Sequence, residues 1–311
     1  AFILVALGAG CEERARPSVL RSERIPNDAV KQTASSDALP PILHSAEWEQ
    51  PVALLPPVNT AGAEDSAFVT PDGATLYFFF TPDVRVPPEG QVLDDVTGIY
   101  ETHFIDGAWS EPDRVWLQDS GKLSLDGCEF VLGDKMWFCS VRAGNAREID
   151  IWTAEFRNGR WQKWQSAGAN VNTDVGAGEL HITADGQEMY FHADKIGGKG
   201  GTDIWVSQKD GEEWGAPKNV SVVNSPETDG WPFISEDGNE LWFTRTYLGT
   251  PAVYRSRKTA DGWSAPELIV SQFAGEPTLD RDGNLYFTHH YFRDGIMLEA
   301  DIYVAKRRAK P

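Results

Sequence analysis

The chain has 311 residues and a formal net charge of −19 at pH 7. This charge argues against binding of nucleic-acid phosphate through bulk electrostatics, so no nucleic-acid partner is expected. The length suffices to bury a large core, and beyond the first residues no segment of the sequence is apolar enough to cross a membrane.

The chain begins with an apolar stretch, AFILVALGAGC, which is too short to span a bilayer and ends in small residues and a cysteine. This pattern predicts the end of an export signal over residues 1–11. The segment from Leu7 to Cys11 resembles a bacterial lipobox, in which the cysteine is lipidated after cleavage, although Gly8 stands where leucine is usual. The resemblance implies lipidation of Cys11 and membrane attachment through that lipid anchor. A secreted protein without lipid and an apolar N terminus of another kind are the alternatives.

Residues 12–46 are rich in Glu, Arg, Ser, Pro and Ala and show no hydrophobic period. A segment of this composition does not bury enough apolar surface to fold, so a disordered tether is predicted. The globular domain is predicted over residues 47–311.

A repeated β-unit fills this domain. Each copy places a tight turn of Asp and Gly before a strand that starts with aromatic residues, and the turns lie at residues 72–73, 133–134, 185–186, 237–238 and 282–283. Successive turns are 45 to 62 residues apart. Periods of about 40 to 50 residues with four strands each are typical of propeller blades.

The outer half of the unit repeats as well. A third strand opens at Ile99, Ile151, Ile204, Val253 and Ile302, and a Trp-x-x-Pro motif marks the fourth strand in most copies. The last copy lacks this fourth strand, whereas Trp48-x-x-Pro51 followed by Val58-Asn59-Thr60 supplies one with no blade before it. The sequence therefore predicts an all-β fold, a five-bladed β-propeller of four-stranded antiparallel blades, closed by the N-terminal outer strand pairing with the C-terminal blade.

The assembled motifs also resemble a known family. GGKGGTDIW, Trp-x-x-Pro, Val-Asn-Ser/Thr and SEDGNELWF are together similar to the WD40-like propeller repeat of TolB-type bacterial envelope proteins, over about residues 47–305. The resemblance implies a propeller and an envelope location, either periplasmic or as a lipoprotein anchored to the outer membrane. It implies little about chemistry, because propellers host binding modules, scaffolds and several enzyme classes.

Charged residues gather at one end of the predicted channel. Each inner strand ends at its Asp-Gly turn, so its start lies at the opposite end, which we call the mouth. Acids stand near those starts in all five copies: Glu64, Asp65, Asp126, Glu129, Glu179, Asp229 and Glu276. Basic residues follow the second strands: Arg85, Arg142, Lys195, Arg245 and Arg293. We expect a ring of carboxylates and a ring of bases at the mouth.

Three interpretations of these rings stay open. The first is salt bridging between blades, repeated because the unit is repeated. The second is a binding site for a glycan or peptide, flanked by the aromatic residues Trp231, His181, Tyr247, His290 and Tyr291. The third is glycoside hydrolysis, which needs two carboxyl groups at a set separation. Five-bladed glycosidases place acids on inner strands of different blades, and the analogous residues are Asp65, Asp126 and Glu179.

The sequence thus favours a non-catalytic binding or scaffolding propeller of the envelope, a monomer that recognises a protein or glycan partner at the mouth. The candidate ligand-binding residues are Glu64, Asp65, Asp126, Glu179, Asp229, Trp231, Arg245, Glu276 and His290. A carbohydrate-active enzyme is the main alternative, and a structural propeller that binds its partner on the outer rim is another. The loop 81–97 is long enough to cover the mouth, or it is a neutral insertion.

No cofactor is expected, with Ca²⁺ bound by mouth carboxylates as an alternative. His289 and His290 are adjacent strand residues, so their side chains point to opposite faces and do not share one ion. Cys128 and Cys139 lie opposite each other across the Gly133-Asp134 turn. Their predicted pairing is of the wide, hydrogen-bonded type, and whether they form a disulfide stays open.

Overall fold

A computed structural model of the chain describes residues 20–175, 177–194 and 197–309, without the side chains of residues 173–175. The predicted export signal, Cys11 and Lys195 lie outside the described residues.

The described strands are numbered in chain order. The N-terminal strands and first group are β1 (Ile42–Leu43), β2 (Val52–Ala53), β3 (Ala63–Val69), β4 (Thr75–Thr81), β5 (Gly98–Ile105), β6 (Ala108–Trp109) and β7 (Asp113–Arg114). The second and third groups are β8 (Ser124–Leu132), β9 (Lys135–Arg142), β10 (Asp150–Arg157), β11 (Arg160–Ser166), β12 (Leu180–Ile182), β13 (Glu188–Ala193), β14 (Asp203–Asp210), β15 (Glu213–Trp214) and β16 (Lys218–Asn219). The last two groups are β17 (Asp229–Ile234), β18 (Glu240–Tyr247), β19 (Thr250–Thr259), β20 (Gly262–Trp263), β21 (Glu267–Ser271), β22 (Ala274–Leu279), β23 (Leu285–Arg293) and β24 (Ile296–Ala305).

Strand pairing follows the repeat. In each group the inner strand pairs with the second strand, the second with the third, and the third with short outer strands, all antiparallel. The innermost strands are β3, β8, β12, β17 and β22, and each ends at the turn that the sequence predicts. The all-β propeller class is therefore confirmed, and we take each of the five groups as one blade.

The two ends of the chain meet in the last blade. Val52 of β2 pairs with Val304 of β24, and Trp48 forms an isolated bridge with Arg307. The predicted closure by an N-terminal outer strand is thus present. It leaves the third strand of the last blade with a partner on its outer side.

The Val-Asn motif has a specific structural role. The side-chain amides of Asn59, Asn172 and Asn224 each accept from the backbone N–H and donate to the backbone carbonyl of the isoleucine that opens a third strand, at 2.7 to 3.0 Å. These two bonds tie each outer segment to its blade, and buried bonds of this kind contribute about 1 kcal/mol each. The motif therefore repeats because the blade repeats.

Aromatic residues of the second strands form the core between blades. One phenylalanine per blade is fully buried at the same position of the repeat: Phe78, Phe138, Phe191, Phe243 and Phe287. Each such burial stabilises the fold by roughly 1.5 to 3 kcal/mol. The aromatic strand that opens after every turn thus belongs to the scaffold.

The described part of the predicted tether, residues 20–46, lies against the propeller and so differs from the expectation of disorder. It contains a 3₁₀-helix, Arg21–Arg24, and β1, which pairs with β21. Its charged side chains supply the reason. The Lys31 ammonium contacts Glu299 at 2.7 Å, and the Asp37 carboxylate lies 2.9 Å from the ring of buried His289. The composition of residues 20–46 indicates that this segment builds no hydrophobic core of its own. It does not show that buried carboxylates of the propeller pair with cations of the segment.

Two further helices are short, an α-helix at Pro88–Gln91 within the long loop of the first blade and a π-helix at Asn170–Val175. Among the described residues, no helix combines the length and the apolar character needed to cross a membrane.

Candidate functional site at the channel mouth

A β-bulge near the mouth interrupts four of the five inner strands. Register shifts occur in β3, β8, β17 and β22, and at each one a non-glycine residue adopts a left-handed backbone conformation: Ser66, Cys128, Trp231 and Glu276, with φ between 49° and 56°. Such residues cost roughly 1 to 2 kcal/mol each, and bulges re-aim side chains. Glu179 occupies the equivalent place just before β12. These five side chains line a small central space of about 50 Å³.

The residue before each bulge position is glycine in four blades, for steric reasons. A Cβ at Gly178 would lie 2.2 Å from the His192 ring, and one at Gly275 would lie 3.3 Å from Thr244. The first blade has Asp65 at this place instead. Asp65 therefore adds a carboxylate to the mouth where the repeat itself provides none.

Three of the predicted acids form a set that we call the paired acids: Glu64, Asp126 and Asp229. Each is buried and lies 2.6 Å from the guanidinium of an arginine, namely Arg21, Arg142 and Arg245 respectively. Burial raises the pKa of Glu64 and of Asp229, and the arginine beside each offsets part of that rise. None of the three paired acids lines the central space. These acids thus form structural ion pairs, but not between blades as the first interpretation expects: the pairs of Asp126 and Asp229 lie within one blade, and that of Glu64 is with the N-terminal segment.

The arginines share a second contact. Arg142 and Arg245 lie near the ends of the second strands of their own blades, and each donates to a backbone carbonyl, that of Leu117 and of Val223. In the first blade the second strand supplies no such cation, and Arg21 of the N-terminal segment donates to the Val58 carbonyl instead. A residue 43 positions away thus completes the repeated ion pair.

Of the four other predicted acids, three form a set that we call the mouth acids: Asp65, Glu179 and Glu276. They converge on Ser66. Its backbone N–H donates to Asp65 Oδ1 at 3.0 Å and to Glu276 Oε2 at 2.7 Å, and its hydroxyl donates to Glu179 Oε1 at 3.2 Å. In the described part of the chain their one ion-pair partner is His290, whose Nε2 lies 3.5 Å from Asp65 Oδ2. No arginine or lysine of the described residues neutralises them.

Crowding separates the pKa values of the mouth acids. Burial, together with the charge of Asp65, raises the pKa of Glu179 to about 7, against hydrogen bonds from Cys128, Ser66 and Trp231. Burial and the neighbouring charges of Asp65 and Glu179 raise the pKa of Glu276 well above its usual value. Burial opposes ionisation of Asp65 too, but His290 holds the pKa of Asp65 well below its usual range. The cluster thus combines an ionised carboxylate with protonated carboxyls.

A larger opening, the mouth cleft, lies beside Glu179 and has a volume of about 520 Å³. Its walls include Trp231, His192 and Cys128, together with exposed residues of the loop at 147–149. The His192 ring lies 5.0 Å from the Trp231 ring, and His192 Nδ1 accepts the Trp231 backbone N–H at 3.1 Å. Burial lowers the pKa of His192 to about 4, so this imidazole is neutral at pH 7.

His192, Ser66 and Cys128 are mouth residues that the sequence analysis missed. The sequence does contain a signal for Ser66 and Cys128. When the five inner strands are aligned, these two residues fall at the position that Glu179, Trp231 and Glu276 occupy in the other blades. A search for acids alone overlooks this alignment. His192 has no such signal, since its place follows from the packing of one blade against the next.

The two cysteines do not face each other as predicted. The bulge shifts the register so that Cys139 pairs with Gly127, and both thiols are free. Hydrogen bonding with Cys139, burial and the nearby Glu179 raise the pKa of Cys128 well above its usual value. The protonated Cys128 thiol and the Cys139 side chain therefore lie at the edge of the mouth cleft.

Other predicted residues lie away from the mouth acids. The Tyr291 hydroxyl is buried against Tyr303, Tyr247 packs on Tyr254, and Arg85 forms exposed ion pairs with acids of the first blade and the N-terminal segment. Arg293 lies beside a separate cavity of the N-terminal segment. As expected, His289 and His290 have different partners, Asp37 and Asp65.

Glu129 and His181 lie within the channel wall. Both carboxylate oxygens of Glu129 are shielded and have no hydrogen-bond partner among the described residues, and burial raises its pKa well above the usual value. His181 lies in an aromatic layer below the mouth, with Phe130 and Phe233. Within the ranges that the structure describes, no three His, Cys, Asp or Glu side chains are arranged to hold a metal ion.

Comparison with known proteins supports the propeller fold but does not place the chain in a family. No family model and no curated protein matches the chain. Among solved structures, an endo-arabinase from Bacteroides thetaiotaomicron matches with a TM-score of 0.52 at 15% identity, over 83% of this chain and 98% of that one. A structure described as a glycoside hydrolase matches with a TM-score of 0.50 at 14% identity, over 82% and 60%.

TolB from Acinetobacter baumannii matches with a TM-score of 0.48 at 14% identity, over 80% of this chain, which spans 56% of that protein. Identities this low show a shared fold alone. The chain is a β-propeller with a polar mouth.

Proposed function

We propose that this propeller is a non-catalytic binding module whose mouth cleft takes a polar, uncharged partner such as a glycan. The observation that carries this proposal is the position of the cleft, which reaches Trp231, His192 and Glu179 but neither Asp65 nor Glu276. An indole face suits the apolar side of a sugar ring, and a carboxyl with a pKa of about 7 both donates and accepts hydrogen bonds near neutral pH.

The same geometry disfavours hydrolysis. A glycosidase needs two carboxyl groups that flank the scissile bond. Here the mouth acids share hydrogen bonds through Ser66, and the central space beside them has about 50 Å³, enough for one or a few water molecules. Asp126, one of the three acids expected in an enzyme, is closed in by Arg142 and two serines.

One observation favours glycoside hydrolysis as the second candidate function. Glu179 has a raised pKa and lies beside an ionised Asp65, and enzymes that cleave glycosides use one protonated and one ionised carboxyl. In this alternative Glu179 is the general acid and Asp65 the base, and the mouth would have to open to admit a sugar between them.

The TolB-type envelope assignment is also a proposal. It is supported by the repeat motifs of the sequence, and the lipoprotein, periplasmic or outer-membrane location by the lipobox-like segment that ends at Cys11. A protein partner of the envelope at the same mouth is the outcome that we expect if no glycan binds.

A thermal-shift screen of the full chain tests the binding function, with neutral glycans, peptidoglycan fragments and Ca²⁺ as probes. A glycan of the mouth cleft should raise the unfolding midpoint of the wild type and of Arg281→Ala, a distant surface control. It should leave Trp231→Ala and Glu179→Gln unshifted. A ligand that shifts all four proteins equally would contradict the assignment of the cleft.

Product analysis with the same glycans separates the two functions. A binding module releases no products. Turnover that is lost in both Asp65→Asn and Glu179→Gln, while Trp231→Ala changes mainly KM, would establish the hydrolase instead.

A further inference from the structure

The opposite end of the channel, where the inner strands reach their turns, contains a cavity of about 490 Å³ that we call the turn-end cavity. All five blades contribute apolar walls: Phe68, Phe130, Ile182, Phe233, Ile234 and Leu279. Ligand sites in proteins are clefts of about 300 to 1,000 Å³ with apolar walls and few polar groups. The turn-end cavity matches that description and has no role in the function proposed above.

His181 supplies a polar group on the wall of this cavity. Its ring lies between Phe130 and Phe233, with centroid distances of 4.1 and 4.5 Å. Burial lowers the pKa of His181 to about 3, so the ring is neutral at pH 7 and has one donor and one acceptor nitrogen. Neither nitrogen has a hydrogen-bond partner in the described part of the chain.

An imidazole without partners is unusual, since buried polar groups are almost always hydrogen-bonded. The orientation of a histidine ring is fixed by the hydrogen bonds it makes. Packing holds the plane of the His181 ring, but no hydrogen bond of the described residues selects between the two orientations that a half-turn about χ2 relates, in which nitrogens and ring carbons exchange places. A ligand in the cavity can therefore meet a nitrogen, and the pairing would satisfy a group that the folded protein leaves unbonded.

The rim of the cavity carries charges of both signs in nearly equal number: Arg257, Lys258 and Arg281 against Glu236, Asp237, Glu240 and Asp280. Arg281 contacts Glu236 at 2.8 Å, and Arg257 contacts Glu240 at 3.4 Å. The rim thus attracts neither a strong anion nor a strong cation. An uncharged ligand fits these surroundings best.

We propose that the turn-end cavity is a second binding site, for an uncharged molecule with a ring-sized apolar body and one hydroxyl group that hydrogen-bonds His181. The apolar body packs against the aromatic and aliphatic walls, and the hydroxyl both donates and accepts, as a neutral imidazole does. The layer of Phe68, Phe130 and His181 separates this site from the mouth acids, so it does not depend on the function of the mouth.

Phenol and toluene test this proposal, because they have nearly the same size and differ in the hydroxyl group. Ligand-observed NMR on the full chain measures both affinities, which are expected on the order of millimolar for ligands this small. His181→Phe keeps an aromatic ring in place but removes the hydrogen-bonding nitrogens. The ratio of phenol to toluene affinity should fall about fivefold in this variant, the size of one hydrogen bond.

Two further variants complete the test. Leu279→Trp fills the cavity and should abolish saturable binding of both compounds, whereas His103→Phe, an exposed histidine of the first blade, should change neither affinity. Circular dichroism verifies that each variant is folded. Absence of saturable binding to the wild type, binding that survives Leu279→Trp, or an unchanged ratio in His181→Phe would each overturn the proposal.

Discussion

The paired acids and the mouth acids all lie on inner strands or directly before one, yet their surroundings differ completely. Glu64 and Asp65 are neighbours in sequence, but Glu64 is buried against the Arg21 guanidinium whereas Asp65 points into the mouth and meets His290. The pairs of Asp126 and Asp229 each join the first and second strands of one blade, and Arg21 attaches the N-terminal segment to Glu64 of the first blade. The mouth acids have no arginine or lysine partner among the described residues.

The comparison teaches how to separate scaffold from site in a repeat protein. A buried carboxylate is costly unless a cation and hydrogen bonds satisfy it. Where the fold supplies the cation, the acid stabilises the structure. Where three carboxyls share hydrogen bonds through one serine instead, their protonation becomes sensitive to each other and to whatever binds. Four predictions test this distinction.

Arg21→Met should produce the largest loss of stability, because it leaves the fully buried Glu64 without its cation. The free energy of unfolding should fall by about 3 to 5 kcal/mol. Urea denaturation followed by tryptophan fluorescence measures it. Arg24→Met, an exposed position of the same 3₁₀-helix, should have little effect. Equal effects of the two substitutions would show that residues 20–46 do not dock through Arg21.

Arg245→Met should reduce stability by about 3 kcal/mol, because Asp229 is then buried without its cation. The loss should be smaller than for Arg21, since part of the Arg245 side chain is accessible to water. The control is Arg281→Met, which breaks an exposed ion pair with Glu236 and should leave the urea midpoint unchanged. A midpoint that stays constant in both variants would remove the distinction between structural and surface pairs.

Glu179→Gln should change how stability depends on pH. The pKa of Glu179 is about 7 in the folded protein, against about 4.3 for an unfolded glutamate, so the folded state binds the proton more tightly. The contribution of this group to the free energy of unfolding therefore decreases as the pH rises from about 4 to about 7, and is constant outside that window.

The glutamine variant lacks this decrease. Between about pH 4 and pH 8 its stability relative to the wild type should rise by about 3 to 4 kcal/mol. Urea midpoints across that range give the answer, with the exposed Glu227→Gln as a control that should follow the wild type. Parallel curves for wild type and Glu179→Gln would mean that Glu179 ionises as it does in water.

Asp65→Asn should have the smallest effect, on protonation alone. The Asp65 charge raises the pKa of His290 against the effect of burial, so its removal should lower the pKa of His290. NMR titration of the histidine rings measures this change. His192 is the internal control, because burial alone sets its pKa. An unaltered His290 would show that the two groups do not form an ion pair.

Much of the fold could be predicted from the sequence. The turns and the aromatic second strands recur five times and the Val-Asn motif three times. Local patterns that recur in this way report strand boundaries reliably. The closure was predictable for the same reason, since Trp48 and Asn59 carry the motif of a missing outer strand. The end of the channel where the acids gather follows from the direction of the inner strands.

The roles of the individual acids were less accessible. Strand alternation predicts which side chains point toward the channel. The bulges at Ser66, Cys128, Trp231 and Glu276 shift the register and reverse that direction. This shift also separates Cys139 from its predicted partner. His181 was placed at the mouth and lies instead in the aromatic layer below it, because two residues along a strand are enough to pass from the polar ring to the core.

The sequence by itself determined the repeat, the class of fold, the closing strand and the mouth at which the acids collect, because these depend on residues close together in the chain. Tertiary structure decided which acids meet an arginine and which do not, since that depends on partners such as Arg21 and His290 that are distant in sequence. It also decided that residues 20–46 dock on the propeller. Which cation pairs with a buried carboxylate depends on their distance in the folded structure, and the composition of a segment does not contain that distance.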